Sequence, residues 1–375
     1  KYFENGADYV ICGEAEESLA ELCQKILREG SRDISQIKGL SYLENGQIVR
    51  TLKRPVLENL DGLPFPAWDL VDLERYRDAW IRRHGFFSLN MVTTRGCPFH
   101  CNWCAKPIYG QVYHTRTPGN VVAEMAFLAS FAKPDHIWFS DDIFGLTPGW
   151  IAEFDKIVNE QRAVIPFKCL LRADLLLKED NIMHLKHSGC KTVWVGAESG
   201  SQKVLDAMEK GVTVEQVYKS SELLHKNGIQ VGFFLQYGYP GETRADIEKT
   251  LEMVRNCQPD EIGVSVSYPL PGTGFHERVK RDLVEKQNWV DSGDLDMMFQ
   301  GTYSREYYRV LHKVTHKKFR VWQGKELLRG ALTKPWLWNS RTFLRLAKSA
   351  YHAATLPTLS TQLRRLEVPR NLSVS

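Results

Sequence analysis

An α/β fold, a partial (β/α)6 barrel, is what this sequence of 375 residues predicts, on three observations. Short apolar runs alternate with helical patterns six times between Phe86 and Thr273, and such alternation implies a parallel sheet with right-handed crossovers. Residues able to do chemistry fall at the C-terminal ends of nearly all these runs. A barrel builds its site there, so a curled sheet fits better than a flat doubly wound one. The first run also feeds directly into T-T-R-G-C-P-F-H-C-N-W-C, placing Cys97, Cys101 and Cys104 together.

The elements follow in order. Asp8–Cys12 reads as a short buried strand, and Gly13-Glu14 turns it into a helix running to Leu27. Glu14, Glu16 and Glu17 sit in that helix's first turn, where the dipole favours them. Ile37–Tyr42 and Gln47–Thr51 are strands around the hairpin signal Glu44-Asn45-Gly46. Leu57–Asp69, with Pro64 and Pro66, is a linker. Barrel strands are expected at Ser88–Thr94, His136–Ser140, Phe167–Arg172, Thr192–Ala197, Gln230–Tyr237 and Glu261–Ser267. Helices are expected at Gly119–Phe131, Gly149–Gln161, Glu179–His187, Ser201–Glu209 with Val214–Asn227, and Arg244–Cys257. From Ser304 the chain reads as helical, punctuated by Gly324, Pro335 and Pro357 and fraying at its end. The divisions are therefore 1–30 (strand–turn–helix), 31–85 (hairpin and linker), 86–273 (barrel) and 274–375 (basic, mainly helical).

Composition sets the class. Hydrophobic content of 43% and charged content of 25% suit a globular enzyme. No apolar run approaches the length of a membrane span, and no secretory signal opens the chain. The first residues, K-Y-F-E-N-G-A-D, lack an initiator Met and begin inside a strand–turn–helix unit, so a fragment is expected. Cys12, Cys23, Cys169, Cys190 and Cys257 are scattered in apolar contexts and read as buried thiols of a reducing compartment. Charge is segregated: residues 302–375 hold 15 Lys+Arg against 3 Asp+Glu, leaving an acidic body beneath a net +4.

Three thiolates without an obvious fourth ligand suit neither a closed zinc site nor a closed iron–sulfur site. On a cubane cluster they leave one iron open to a substrate or cosubstrate. A zinc knuckle completed by His100 is disfavoured, because His100 adjoins Cys101 and no second C-x2-C pair follows. With this triplet after the first barrel strand and Trp103 before its last Cys, the sequence resembles the radical S-adenosylmethionine (SAM) superfamily over Phe86–Thr273. The resemblance implies a 4Fe-4S cluster on Cys97, Cys101 and Cys104. Its open iron would chelate SAM, and reduction would release a 5′-deoxyadenosyl radical, chemistry that belongs to cluster and cosubstrate.

The resemblance also assigns the other strand ends. In W-F-S-D-D-I-F, Asp141 or Asp142 would accept from the SAM ammonium; the bland reading is a loop cap. Arg172, closing L-L-R-A-D, would meet the SAM carboxylate, or else ion-pair on the rim. V-W-V-G-A-E-S-G-S matches the family's G-x-E-S-G run, so Glu198 would hold ribose hydroxyls, with Ser199 and Gly200 opening the next helix. F-L-Q-Y-G-Y-P-G-E-T resembles the segment near the adenine, with Gln236 and Tyr237 as site residues or as packing, and Gly238 and Gly241 allowing close approach. Tyr268 and Thr273 could face substrate.

A second resemblance lies at the start. D-Y-V-I-C-G-E-A-E-E-S-L-A-E-L looks like the last strand and helix of the Rossmann-like cobalamin-binding domain that precedes many radical SAM barrels. The reading is then a cobalamin-dependent methyltransferase acting at an unactivated carbon of a small-molecule or lipid-like substrate, served by an electron donor such as flavodoxin or ferredoxin. Cyclisation or rearrangement in the same domain order is the alternative; an iron–sulfur scaffold or nucleic-acid-binding protein is the alternative of another class. The location implied is cytoplasmic. The tail segments His316–Trp322 and Lys334–Trp338 interleave cations with aromatics, which suits peripheral contact with the anionic inner face of a membrane. Nucleic acid is disfavoured as a partner, and a solvated helical face is the bland reading.

Overall fold

The computed structural model describes residues 2–30, 33–104, 109–283, 295, 297–333, 336 and 338–368. At the N-terminus, β1 (Tyr9–Ile11) leads into α1 (Glu16–Cys23), and the hairpin β2 (Leu40–Glu44) and β3 (Gln47–Arg50) follows. These strands form one small antiparallel sheet in the order β1-β2-β3, packed on α1 through Leu22, Leu40 and Tyr42. Cys12 and Cys23 are exposed rather than buried, because β1 is a sheet edge and the outer face of α1 is uncovered. Cys169, Cys190 and Cys257 are core thiols as expected. After the expected linker Leu57–Asp69 an additional helix forms, α2 (Leu73–His84), N-capped by Asp72 and closed by Gly85.

The barrel strands are β4 (Ser88–Met91), β7 (His136–Phe139), β8 (Phe167–Leu171), β9 (Cys190–Glu198), β10 (Gln230–Tyr237) and β11 (Glu261–Val266). They pair in parallel and in chain order, β4-β7-β8-β9-β10-β11, as a curled half-barrel. The first strand ends at Met91, earlier than expected. Its next residues leave the ladder, and Thr94–Arg95 (β5) pairs instead with His114–Thr115 (β6). Crossovers are α3 (Pro118–Phe131), α4 (Trp150–Glu160), α5 (Ala173–Leu176) with α6 (Asn181–His187), α7 (Gln202–Ala207) with α8 (Val214–Lys226), and α9 (Arg244–Cys257). Capping boxes at Thr213/Gln216 and Thr243/Asp246 start α8 and α9.

Strand alternation sends Ile137, Phe139, Phe167, Val193 and Val231 outward against the helices, where Phe144, Trp150 and Phe154 complete an aromatic core. The opposite residues, including Trp138, Lys168, Trp194 and Phe234, line the concave face. Lys168 Nζ lies 3.8 Å from the Trp138 ring centre, and Trp194 meets Phe234 at 4.6 Å.

After β11, α10 (Gly274–Val279) precedes two long antiparallel helices, α11 (Arg305–Thr333) and α12 (Ser340–Arg365). A second core of Tyr237, Tyr239, Phe275, Tyr303, Tyr307 and Leu311 seats α11 on the barrel. Gly324 and Pro357 lie inside these helices instead of breaking them. A Cβ at position 324 would sit 1.9 Å from Ser349 Oγ, so glycine there lets α11 and α12 cross closely. Pro335 falls outside the described residues. Among them, no helix is long and apolar enough to cross a membrane.

Candidate active site at the strand C-termini

The cysteine loop starts with a carboxylate. Asp141, buried just past β7, accepts from the Thr93 N–H at 2.7 Å, the Thr93 hydroxyl at 2.6 Å and the Thr94 N–H at 3.0 Å. These three bonds pull the chain off β4 and aim it toward the cysteines. Burial, partly offset by those bonds, pushes the Asp141 carboxyl up to about 6. Arg95 then reaches back to the N-terminal unit, donating to Glu14 at 2.6 Å and to Glu16. Glu14 also accepts the Leu57 N–H at 2.6 Å. It lies ahead of α1, so it serves as this anchor rather than as a first-turn residue of that helix. Gly96 has φ +81°, and a Cβ there would meet the Val112 carbonyl oxygen at 2.2 Å. Only glycine fits the residue before Cys97.

Cys97 is buried, and Cys101 and Cys104 are half-buried; the Cys104 N–H donates to the Cys101 carbonyl at 3.2 Å. Between them Asn102 is a hub that the sequence reading missed. Its Nδ2 donates to the Ala207 carbonyl at 2.8 Å and to Glu209 at 3.1 Å, while Tyr239 Oη lies 2.9 Å from Oδ1. Its own N–H donates to the Met208 carbonyl at 3.1 Å, and its carbonyl accepts the Phe275 N–H at 2.8 Å. A cavity of about 420 Å³ opens beside the loop, lined by His100, Cys101, Cys104, Gln111, Glu209 and Thr273.

Beneath the loop, the third and fourth strand ends converge. Arg172 is buried and forks onto Asp174 at 3.0 and 3.3 Å. It also donates to the Lys210 and Gly211 carbonyls at 2.9 and 3.0 Å. Its guanidinium carbon lies 3.6 Å from the ring centre of Phe99, a loop residue. The β9–β10 register slips at its end, and Glu198 adopts φ 54°, a bulge that re-aims its side chain. Its carboxylate accepts from Lys210 Nζ at 2.9 Å, and both residues are buried. Burial alone would lower the Lys210 ammonium; Glu198, then Cys101, outweigh it and hold its pKa above the usual range. Lys210 Nζ is 5.8 Å from the Trp103 ring centre. The Trp103 indole Nε1 is buried with no hydrogen-bond partner among the described residues. Lys210 was also missed by the sequence reading, since a single Lys in a loop carries no spacing signal.

The remaining expected residues divide. Gln236 is buried and donates to Ser267 at 3.0 Å. Tyr237 points its hydroxyl at Thr315 of α11, 3.2 Å away, and so packs in the second core. The Ser199 hydroxyl is held by Thr250 of α9 at 3.1 Å. Asp142 is exposed. Thr273 caps α10 and borders the cavity, and the Tyr268 hydroxyl accepts the Leu295 N–H at 3.0 Å. In the fifth-strand turn Glu242 accepts the Gly238 N–H at 2.6 Å. Burial pushes that carboxyl up to about 8.

Among the described residues, no three His, Cys, Asp or Glu side chains close on one point as a single-ion site would require. A cubane instead spreads three thiolates over three irons. Three cysteines on one glycine-started loop, above a buried indole N–H that lacks an acceptor among the described residues, fit a cluster with a polar cosubstrate.

The chain is 29% identical over 311 residues to an uncharacterized methyltransferase, PH0819, of Pyrococcus horikoshii, covering 82% of this chain and 66% of the relative. It is 25% identical to the anaerobic magnesium-protoporphyrin IX monomethyl ester cyclase of Rubrivivax gelatinosus, over 76% of this chain and 52% of that one. The chain thus spans between about half and two thirds of the length of these relatives. The fold superimposes on the cobalamin-dependent S-adenosylmethionine radical enzyme OxsB with TM-score 0.68 and 17% identity, covering 97% of this chain and 57% of OxsB. For the radical S-adenosylmethionine methyltransferase TsrM of Kitasatospora setae the values are 0.60 and 22%, covering 75% and 55%. The family model for the radical SAM superfamily matches residues 91–254, from the end of the first strand through the cysteine loop into α9. With the triplet, the half-barrel and this match in agreement, residues 91–254 form a radical SAM domain.

Proposed function

We propose that this protein is a cobalamin-dependent radical SAM methyltransferase acting at an unactivated carbon. The observation that carries the reading is the cysteine loop held directly over the buried Arg172–Glu198–Lys210 group. When bound, cluster and SAM supply a one-electron cleavage that yields a 5′-deoxyadenosyl radical for hydrogen abstraction. This chain's residues do the positioning. Cys97, Cys101 and Cys104 supply the thiolates, and Asn102 fixes the loop that bears them. Arg172 braces Phe99 from below. Glu198 presents a carboxylate oxygen to ribose hydroxyls from its bulge, where Lys210 Nζ holds it at 2.9 Å. Trp103 Nε1 offers a donor, and Gln236 lies one strand further on. Asp141 sets the direction of the loop through Thr93 and Thr94, and Asp142, beside it and exposed, is the carboxylate that would meet an ammonium. The substrate is a small or lipid-like molecule placed over Trp138, Trp194 and Phe234 on the concave face.

Cobalamin rests on the N-terminal strand and helix, which resemble the end of a cobalamin-binding domain, and on the likeness to OxsB, a cobalamin-dependent enzyme, and to TsrM, whose structure holds cobalamin. No D-x-H-x-x-G run occurs in this sequence, and no residue here is assigned to cobalamin. Cyclisation remains the second reading because the Rubrivivax cyclase aligns over 76% of the chain.

The test is anaerobic reconstitution followed by dithionite reduction with SAM. The expected product is 5′-deoxyadenosine, at least about 100-fold less with Cys101→Ala. A cluster-loaded protein that leaves SAM intact would overturn the proposal. Label from methyl-labelled SAM appearing in product separates methyl transfer from cyclisation.

A further inference from the structure

Outside the site, a basic crevice lies between α11 and α12. It is a cavity of about 330 Å³ lined by Arg320, Gln323, Gly324 and Leu327 from α11 and by Arg345, Lys348, Ser349 and His352 from α12. Each set follows the i, i+3, i+4, i+7 spacing of one helical face, so two stripes confront each other across the crossing at Gly324. Three permanent cations and no carboxylate line the cavity among the described residues. Among the described residues, Arg345 and Lys348 have neither an ion pair nor a hydrogen bond, whereas Arg320 bonds only Gln323 at 2.8 Å. Glu326, which borders the neighbouring cavity, is paired with Arg329 at 2.5 Å. His352 Nδ1 is buried without a hydrogen-bond partner among the described residues. Burial, then the charges of Lys317 and Arg320, hold that imidazole below its usual range. The crevice is thus a field of uncompensated positive charge with spare donors, which is what an anionic oxygen cluster requires.

A second, independent observation lies at the open end of the same helix pair. Leu332 is 70% exposed, Trp336 75%, Phe343 60% and Leu344 57%, with Trp338 against Phe343 at 5.1 Å. These apolar residues sit at the C-terminal end of α11 and the N-terminal end of α12, next to Arg329, Arg341 and Arg345. Exposed aromatics ringed by cations, adjoining an anion-seeking crevice, match the two layers of a bilayer surface. A soluble phosphate would account for the crevice but not for the tip.

We propose that the α11–α12 hairpin docks on an anionic lipid bilayer, the crevice taking a headgroup phosphate while Trp336, Phe343 and Leu344 enter the acyl boundary. Docking would hold the mouth of the half-barrel near a lipid-like substrate. This inference stands apart from the catalytic reading, because its readout is partition and not SAM cleavage.

The experiment sediments the reconstituted protein with vesicles of phosphatidylglycerol and phosphatidylcholine, and with phosphatidylcholine alone, at 0.15 M and 0.5 M salt. Binding to the anionic vesicles is expected, falling with salt. The pair Arg345→Ser/Lys348→Ser is expected to weaken it at least tenfold, about fivefold per charge. Trp336→Ala/Phe343→Ala is expected to weaken it by a similar factor without changing the salt dependence. Circular dichroism confirms that each variant is folded. Absence of binding by the folded wild-type protein overturns the proposal. So does equal binding by both variants, or tighter retention on a nucleic-acid duplex than on vesicles. Thermal stabilisation by inorganic phosphate, without vesicle binding, also overturns it in favour of a soluble anion.

Discussion

Lys210 carries a charge that its surroundings oppose, and the reason it persists is the carboxylate it faces. Glu198, buried beneath the cysteine loop, meets it at 2.9 Å. Breaking a buried pair from one side leaves the other charge stranded, at a cost of about 3 kcal/mol or more, whereas removing both partners costs far less. We therefore expect Lys210→Met to lower unfolding stability by about 3 kcal/mol in urea, and Lys210→Met/Glu198→Leu to recover most of it. Equal destabilisation by the single and double variants would show that Lys210 acts by packing alone. In the reconstituted protein the same single substitution removes a cation beside Cys101. Its cluster midpoint potential, read by dye titration, is expected to become more negative. Glu198 was legible in the sequence because G-x-E-S-G is a run. Lys210 was not, because its role comes from the fold of the segment between α7 and α8, which no local spacing encodes.

Among the elements, the strands were legible wherever both faces obey one rule. β10 and α9 have the bounds expected from pattern, since β10 is central and apolar on its outer face and α9 carries its own capping box. β4 was read three residues too long because Val92, Thr93 and Thr94 are good strand formers. The Asp141 carboxylate, 48 residues away from Thr93, competes successfully for their donors. α2 was hidden by its composition, with charged residues outnumbering the few anchors such as Leu73 and Trp80 that face the core. The β10–α9 turn offers a test at this scale. Glu242 closes it by accepting the Gly238 N–H, yet burial keeps its carboxyl protonated up to about 8 against an ordinary 4.5. Below pH 4.5 both folded and unfolded states hold the proton, and stability is unaffected. Between 4.5 and about 8 the unfolded state releases it while the folded state keeps it, so stability falls as pH rises, at up to about 1.4 kcal/mol per unit. Glu242→Gln keeps a carbonyl oxygen for Gly238 and cannot ionise. Its urea stability is expected to vary less with pH and to exceed wild type at pH 8. A parallel profile for the two proteins would mean that the carboxyl is ionised in the fold.

Across the whole molecule, charge organises what hydrophobic patterning leaves loose. The half-barrel has a large apolar core, but the N-terminal unit has only a small core of its own. Arg54 joins its parts by meeting Glu17 at 2.7 Å and Glu21 at 2.5 Å. Its tie to the cysteine loop runs through Arg95, two residues before Cys97, clasping Glu14 and Glu16. Glu14 is nearly buried, so this contact is worth more than a surface pair. The order of the parts was readable from sequence, and this clasp was not, since it spans 81 residues between a lone Arg and one of several glutamates. It also implies a coupling: the unit ahead of the barrel helps to hold the loop that carries the thiolates. Arg95→Ala should leave the melting of the barrel core nearly unchanged. It should lower the local opening energy of the loop by about 1–3 kcal/mol, the cost of an unpaired buried group. Hydrogen exchange followed by mass spectrometry would show this as faster exchange over residues 94–104 and 14–23, with β8 to β10 protected as before. Iron bound per chain after reconstitution should fall in parallel. If exchange accelerates in residues 14–23 alone, the loop stands without the clasp, and its geometry is set entirely by Asp141 and Asn102.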